Sequence, residues 1–104
     1  MQRFISYAEL KPDKVEDYIR LHADPWPELM ALIDACHIHH YSISLRGPAV
    51  FTYYEYTGTD YAADMRRMDN SPVMQRWWKY SKPCFLHHAE GWYYEDLDEV
   101  FYAP

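Results

Sequence analysis

The order of its segments predicts an α+β fold for this chain: an antiparallel four-stranded sheet in the split βαβ order, with the helices on one face. Three observations carry the prediction. Short runs alternate ring and polar residues at period two, and longer runs between them repeat apolar residues at spacings of three and four. Prolines and glycines fall at the joins rather than inside the runs. The resulting order is strand, helix pair, two strands, helix pair, strand.

Element by element, "RFISYAEL" alternates and stops at "KPD", which marks a first strand. A helical pattern begins at Asp13, with Pro12 near its start and Val15, Tyr18, Ile19 and His22 on one face. Pro25 breaks it at "ADP", and Pro27 suits the first turn of a second helix, "PELMALIDACH", with Leu29, Leu32 and Ile33 as its inner stripe. "IHHYSISLRG" and "AVFTYYEYTG" are rich in β-branched and aromatic residues and meet at Gly47-Pro48, the pattern of a β-hairpin. "TDYAADMRRM" follows as a helix capped by Thr59 or Asp60, and Ser71-Pro72 opens another through "VMQRWWKYS". The stretch from Lys82 to Asp96 has no clear period, and "LDEVFYAP" closes the chain as an expected last strand.

A length of 104 residues predicts a single domain, residues 1–104. A domain of this size buries roughly two-thirds of its unfolded surface. Yet 18% of the residues are Phe, Trp or Tyr, more ring surface than so small a core hides. Helices on one side also leave the other sheet face bare, carrying rings from "RFISYAEL" and "TYYEY". A second copy covering that face gives the expected symmetric homodimer.

The net charge of -6 excludes a phosphate-backbone partner, since nucleic-acid binding needs clustered Lys and Arg and Arg66-Arg67 is too short a cluster. Cys36 and Cys84 have no CxxC spacing, "MQRFISYAEL" lacks the apolar run of a signal peptide, and no stretch reaches the roughly 18 apolar residues of a membrane span. The expectation is a soluble cytoplasmic protein with free thiols and no membrane partner. The three glycines include no GxGxxG, P-loop or GxSxG pattern, so nucleotide cofactors and acyl-enzyme chemistry drop out.

Three clusters could carry chemistry. Tyr18 and His22 stand at i, i+4, so their side chains share a helical face, and histidine gives and takes a proton near neutral pH. A capping or packing histidine would have the same spacing. In "RWWKY" the neighbours Trp77 and Trp78 diverge by about 100 degrees, so at most one faces a pocket squarely. A tryptophan face suits the C-H surface of a sugar, although rings at helical spacing also serve as plain packing. In "HIHHY" a regular strand puts His37, His39 and Tyr41 on one face and His40 on the other. Two histidines at i, i+2 fall short of the three or four ligands zinc needs, and His87-His88 have no companions either. The expectation is no metal.

"YIRLHADPWPEL", "HHYSISL", "RWWKY" and the closing "LDEVFYAP" occur in the order and at about the separations seen in the L-rhamnose mutarotase family, which this chain resembles. The resemblance runs from Arg3 to Val73, is strongest at the H-x-x-x-W-P-E-L and W-W blocks, and resumes at Leu97. It implies a ferredoxin-like fold of the dimeric α/β barrel type. It also implies a cofactor-free enzyme that interconverts the α and β anomers of a monosaccharide, L-rhamnose first. Carried over by position, it makes His22 the proton donor and Tyr18, Tyr41, Trp77 and Trp78 the sugar contacts. The chain departs from the family pattern between Pro83 and Asp96, which leaves L-fucose as the competing substrate.

Anomer exchange proceeds by ring opening, rotation of the carbonyl face and closure. The expectation is that His22, as imidazolium or through a water, serves the ring oxygen while Tyr18 or Tyr41 aligns the hydroxyls. Trp26 with Glu28 is expected to buttress the corner between the first two helices. The same element order would also serve a dimeric α/β barrel monooxygenase or ligand-binding protein, or a non-catalytic interaction subunit.

Overall fold

The computed structural model describes residues 1–86 and 94–104. The strands are β1 (Gln2–Glu9), β2 (Ile38–Arg46), β3 (Ala49–Tyr56) and β4 (Glu95–Asp96). The helices are α1 (Val15–Ala23), α2 (Pro27–Ala35), α3 (Tyr61–Asp69) and α4 (Pro72–Ser81). The sheet order is β2-β3-β1-β4, and each neighbouring pair is antiparallel. This is the split βαβ order that the segment pattern predicts, with α+β architecture.

Local chemistry sets the boundaries. Pro12 starts a 3-10 turn that leads into α1, and Pro27 occupies the first turn of α2, where its missing N–H costs nothing. Gly47 turns the β2–β3 hairpin at φ 56°, in the left-handed region that glycine enters freely. Asp60 caps α3 by accepting from the Ala63 amide at 3.1 Å, and Ser71 caps α4 by accepting from Val73 at 3.3 Å.

The two faces of the sheet differ. Ser6, Ala8, Val50, Thr52 and Tyr56 are buried on the helix side. Tyr18 packs there with Ala8, Leu10, Val50, Cys84 and Phe85. A second cluster, Leu29, Met74 and Trp77, joins α2 to α4, with Leu32 and Ile33 partly buried against it. The opposite face carries Ile5, Tyr7, Phe51 and Tyr53, and Ile5 and Phe51 remain 37% and 41% exposed. Cys36 and Cys84 are free thiols, both buried, and burial raises the pKa of each. Among the described residues no helix is long and apolar enough to cross a membrane.

Two expectations need correction. The last strand is Glu95–Asp96, paired with Tyr7 and Ser6, and "LDEVFYAP" continues beyond it without strand structure. Only the Leu97 amide still reaches the sheet, donating to the Ile5 carbonyl at 2.9 Å. The second correction concerns "HIHHY". A register shift between His39 and Ser42 sets two β2 residues, His40 and Tyr41, against the single position Tyr54. His40 takes up the extra residue at φ 51°, a region that histidine tolerates better than most residues. Tyr41 therefore stacks on Tyr54, on the helix side, and does not share a face with His39. His87 and His88 lie outside the described residues.

Candidate active site

His22 occupies the last turn of α1, one turn beyond Tyr18. The i, i+4 spacing brings the two rings to 4.2 Å between centroids, but the hydrogen bond runs to the backbone: Nδ1 of His22 lies 2.8 Å from the Tyr18 carbonyl oxygen. A carbonyl can only accept, so Nδ1 carries the proton and the neutral ring keeps its lone pair on Nε2. Among the described residues Nε2 has no hydrogen-bond partner. Burial lowers the pKa of His22, partly opposed by the bond to Tyr18. The neutral form thus prevails at neutral pH, and a neutral imidazole with a bare Nε2 is a base.

Trp77 completes this group. Its ring stands edge-on to His22, with centroids 5.3 Å apart at 90°, and it is buried. Trp78, the next residue of α4, is partly buried against the Leu29, Met74 and Trp77 cluster, and the Lys82 ammonium sits 3.9 Å above its ring. The structure therefore brings together Tyr18, His22 and Trp77, and gives Trp78 a different neighbour. Trp26 meets Trp77 edge-on at 5.2 Å, while Arg76 lies over Trp26 and pairs with Glu28 at 3.1 Å. Trp26 and Glu28 thus tie the start of α2 to α4.

Tyr41 belongs to a second group. Its ring is stacked on Tyr54 at 5.4 Å, Tyr54 on Phe4 at 5.1 Å, and Phe4 on Tyr61 at 4.6 Å. The hydroxyls of Tyr54 and Tyr61 are hydrogen-bonded at 2.5 Å. Although 44% of Tyr41 is exposed, protein atoms crowd its hydroxyl, and desolvation, then Tyr61, raises its pKa to about 12. Desolvation also raises Tyr54, helped by its bond to Tyr61. These phenols stay protonated at any physiological pH and can offer hydrogen bonds to sugar hydroxyls. Tyr41 and Tyr18 share the helix side of the sheet, but Tyr41 has no direct ring contact with His22.

Sequence reasoning missed Tyr54 and Tyr61, since nothing in their spacing pairs a strand residue with a helix start seven positions on. It also missed a network at the start of β2. There the Asp64 carboxylate accepts from the Tyr56 hydroxyl at 2.5 Å and meets His37 Nδ1 at 3.1 Å. The Tyr56 hydroxyl, then His37, holds Asp64 below the usual carboxylate range. An open groove of about 450 Å³ beside α1 and α4 includes Asp17, Arg20, Leu21, Lys79 and Tyr80 in its wall, and none of His22, Tyr41 or Trp77. It lies on the outer side of the helices and takes no part in the grouping above. Among the described residues, no three His, Cys, Asp or Glu side chains converge as a metal site would require.

The comparison with known proteins decides between the activities this fold can host. A family model for L-rhamnose mutarotase matches residues 3–103. The chain belongs to the L-rhamnose mutarotase family. An L-rhamnose mutarotase of Bacillus subtilis is 35% identical over 105 residues, covering 98% of each chain. The crystal structure of an L-rhamnose mutarotase from Formosa agariphila superposes with a TM-score of 0.82 at 20% identity over the whole of both chains. A tetracenomycin F2 cyclase from Streptomyces glaucescens shares the fold at TM-score 0.69 and 12% identity, again over both full chains. The cyclase shows how little the architecture alone says about chemistry. Membership in the mutarotase family makes this chain an isomerase acting on sugar anomers.

Proposed function

We propose that this chain interconverts the α and β anomers of L-rhamnose, with the Nε2 of neutral His22 as the proton-transfer group. The observation that carries the residue assignment is the Nδ1–H bond from His22 to the Tyr18 carbonyl, which fixes the tautomer and leaves Nε2 as a lone pair. Nε2 takes the proton of the anomeric hydroxyl while the bond from C1 to the ring oxygen breaks. The ring oxygen keeps that electron pair and takes a proton from water or a neighbouring hydroxyl, giving the open aldehyde. Rotation about C1–C2 presents the other carbonyl face. Closure then reverses each transfer, and His22 returns its proton to O1.

This reading refines the expected role of His22. A donor that had to start as imidazolium would be disfavoured by the burial that lowers its pKa, whereas a base is favoured by it. Trp77, edge-on to His22, supplies a water-poor wall and an apolar surface for the sugar. Tyr18 orients the imidazole through its carbonyl, and Tyr41 offers a protonated phenol to the sugar hydroxyls. Trp78 is the weakest of the proposed sugar contacts, because Lys82 covers its ring.

We also read the open sheet face with Ile5, Tyr7, Phe51 and Tyr53 as the contact surface of a homodimer. The test of the activity is saturation transfer between the anomeric proton signals of L-rhamnose. Transfer catalysed by the wild type and lost in His22→Gln supports the assignment; equal transfer by both overturns it. L-fucose measured in parallel sets the sugar preference.

A further inference from the structure

The two ring groups of the candidate site leave one row of the sheet between them. Tyr18 packs with Ala8 and Val50, which stand opposite each other on β1 and β3, and Tyr41 stacks on Tyr54, which stands opposite Phe4. These two rows are four residues apart along each strand, about 13 Å, the scale of a monosaccharide with its hydroxyls. The row midway between them is Thr52 on β3, Ser6 on β1 and Asp96 on β4, each directly opposite the next. Directly opposed residues send their side chains to the same face, so all three turn to the side on which Tyr18 of α1 packs.

This row offers both halves of a hydrogen bond. The Ser6 and Thr52 hydroxyls are bonded to each other, and the two residues are 8% and 3% exposed. Two hydroxyls carry two protons and their mutual bond uses one, so one O–H is left to donate, and among the described residues no acceptor takes it. A buried donor without an acceptor is costly, and an arriving oxygen atom removes that cost. Asp96, exposed beside them, supplies an acceptor. Strand alternation sends Glu9, Glu55 and Glu95 to the open face, so among the described residues Asp96 is the one carboxylate that the strands turn to the helix side. Its charge is felt at the Tyr54 hydroxyl in the neighbouring row, where it adds to the forces that raise that pKa. Among the described residues the carboxylate has no hydrogen-bond or ion-pair partner of its own.

We propose that Thr52, Ser6 and Asp96 form the floor of the sugar site and select its ring hydroxyls, an inference that rests on the reading of this chain as an L-rhamnose mutarotase with His22 as its base. The Asp96 carboxylate accepts from one hydroxyl, and the Ser6–Thr52 pair donates to a second. Adjacent strands lie about 4.8 Å apart, so both contacts fall under a single pyranose. They go to the hydroxyls on C2, C3 or C4, because His22 works on the one at C1. None of those three changes its bonds when the ring opens. The floor therefore holds the open chain while C1 rotates, and it binds the closed and the opening sugar alike. Contacts of that kind lower KM and leave kcat in place.

The test is the concentration dependence of anomer exchange on the full chain, with L-rhamnose and its 2-, 3- and 4-deoxy analogues, for wild type, Asp96→Ala and Ser6→Ala/Thr52→Val. The double variant replaces both partners of the buried bond with apolar groups of similar shape, a change that leaves folding nearly untouched, and circular dichroism checks this. Asp96→Ala is expected to raise KM for L-rhamnose about 10-fold or more, as the loss of a charged acceptor does, and the double variant about 3- to 10-fold, both with kcat little changed. The deoxy analogues separate contact from mere structure. For each variant one analogue should already have lost the same factor in the wild type and lose nothing further in the variant. Unchanged KM in both variants, or losses that add for all three analogues, overturns the floor while leaving the assignment of His22 intact. A wild type that fails to exchange the anomers of L-rhamnose overturns the reading of function on which the floor rests.

Discussion

Replacing His22 by glutamine removes the titrating lone pair while keeping similar bulk beside Trp77 and Tyr18. General acid-base help of this kind contributes about 10²- to 10⁴-fold, so the catalysed exchange should fall by a factor in that range. At 1.36 kcal/mol per tenfold, this is about 3–5 kcal/mol of barrier. The pH profile gives a sharper check. Wild-type exchange should have an acid limb whose midpoint lies below the ordinary histidine value of 6.5, because burial lowers the His22 pKa. Activity belongs to the neutral form, so it persists above the midpoint and drops about tenfold for each pH unit below it. The same shift carries a stability consequence. The unfolded chain binds this proton more readily than the folded one, so the contribution is intact above pH 6.5 and is lost as pH falls through the folded pKa. The assay is saturation transfer on α- and β-L-rhamnose at a series of pH values, with circular dichroism to confirm folding. An acid limb centred above 6.5, or one that survives unchanged in His22→Gln, would refute the assignment of the base.

Trp77→Phe should move the midpoint of the acid limb up towards 6.5, since the smaller ring hydrates His22, while Trp78→Phe should leave it in place; the paired pH profiles check this. Gly58→Ala should cost about 1–3 kcal/mol by overpacking, because a Cβ there would come 2.4 Å from the Tyr56 hydroxyl and 2.8 Å from Asp64, breaking into their hydrogen bond. Denaturant unfolding measures that loss. Asp60→Ala removes the α3 cap and should lower stability by about 1 kcal/mol, with anomer exchange unchanged.

The fold was legible because its information is local. Pro12, Pro25 and Pro27 punctuate the first helical pair, Asp60 and Ser71 announce the second, and the β2–β3 hairpin turns at Gly47. Each acts within four residues of itself, the range over which a single sequence is informative. The same holds for Tyr18 and His22, which meet because a helix returns every fourth side chain to the same face. Edge contacts across elements were not legible. Nothing local says that Trp77 will meet His22 or that Tyr54 will bond Tyr61, because those contacts depend on how helices lie across the sheet. The last strand was misread for a related reason: only Glu95 and Asp96 pair with β1, and beyond them Leu97 and Glu99 reach β1 through one backbone hydrogen bond and one side-chain pair rather than a continued ladder.

The bulge in β2 shows what a missed contact can mean for function. Had β2 kept its register, Tyr41 would have lain opposite Tyr53 on the open face, the side carrying Ile5 and Phe51, away from α1. One extra residue at His40 turns it over to stack on Tyr54, on the side where Tyr18 packs against the sheet. A bulge commonly re-aims a side chain next to a working site, and it does so at the expense of a ladder hydrogen bond. Here it sets a phenol with a raised pKa on the layer that also receives α1. A strand that served only to fill the sheet would gain nothing from this irregularity. The bulge is therefore an argument for Tyr41 as a sugar contact that is independent of the family pattern, and Tyr41→Phe should raise the KM for L-rhamnose with little change in kcat, because the hydroxyl contributes binding and the base is elsewhere. A fall in kcat at unchanged KM would instead place Tyr41 in proton transfer, as the group that serves the ring oxygen.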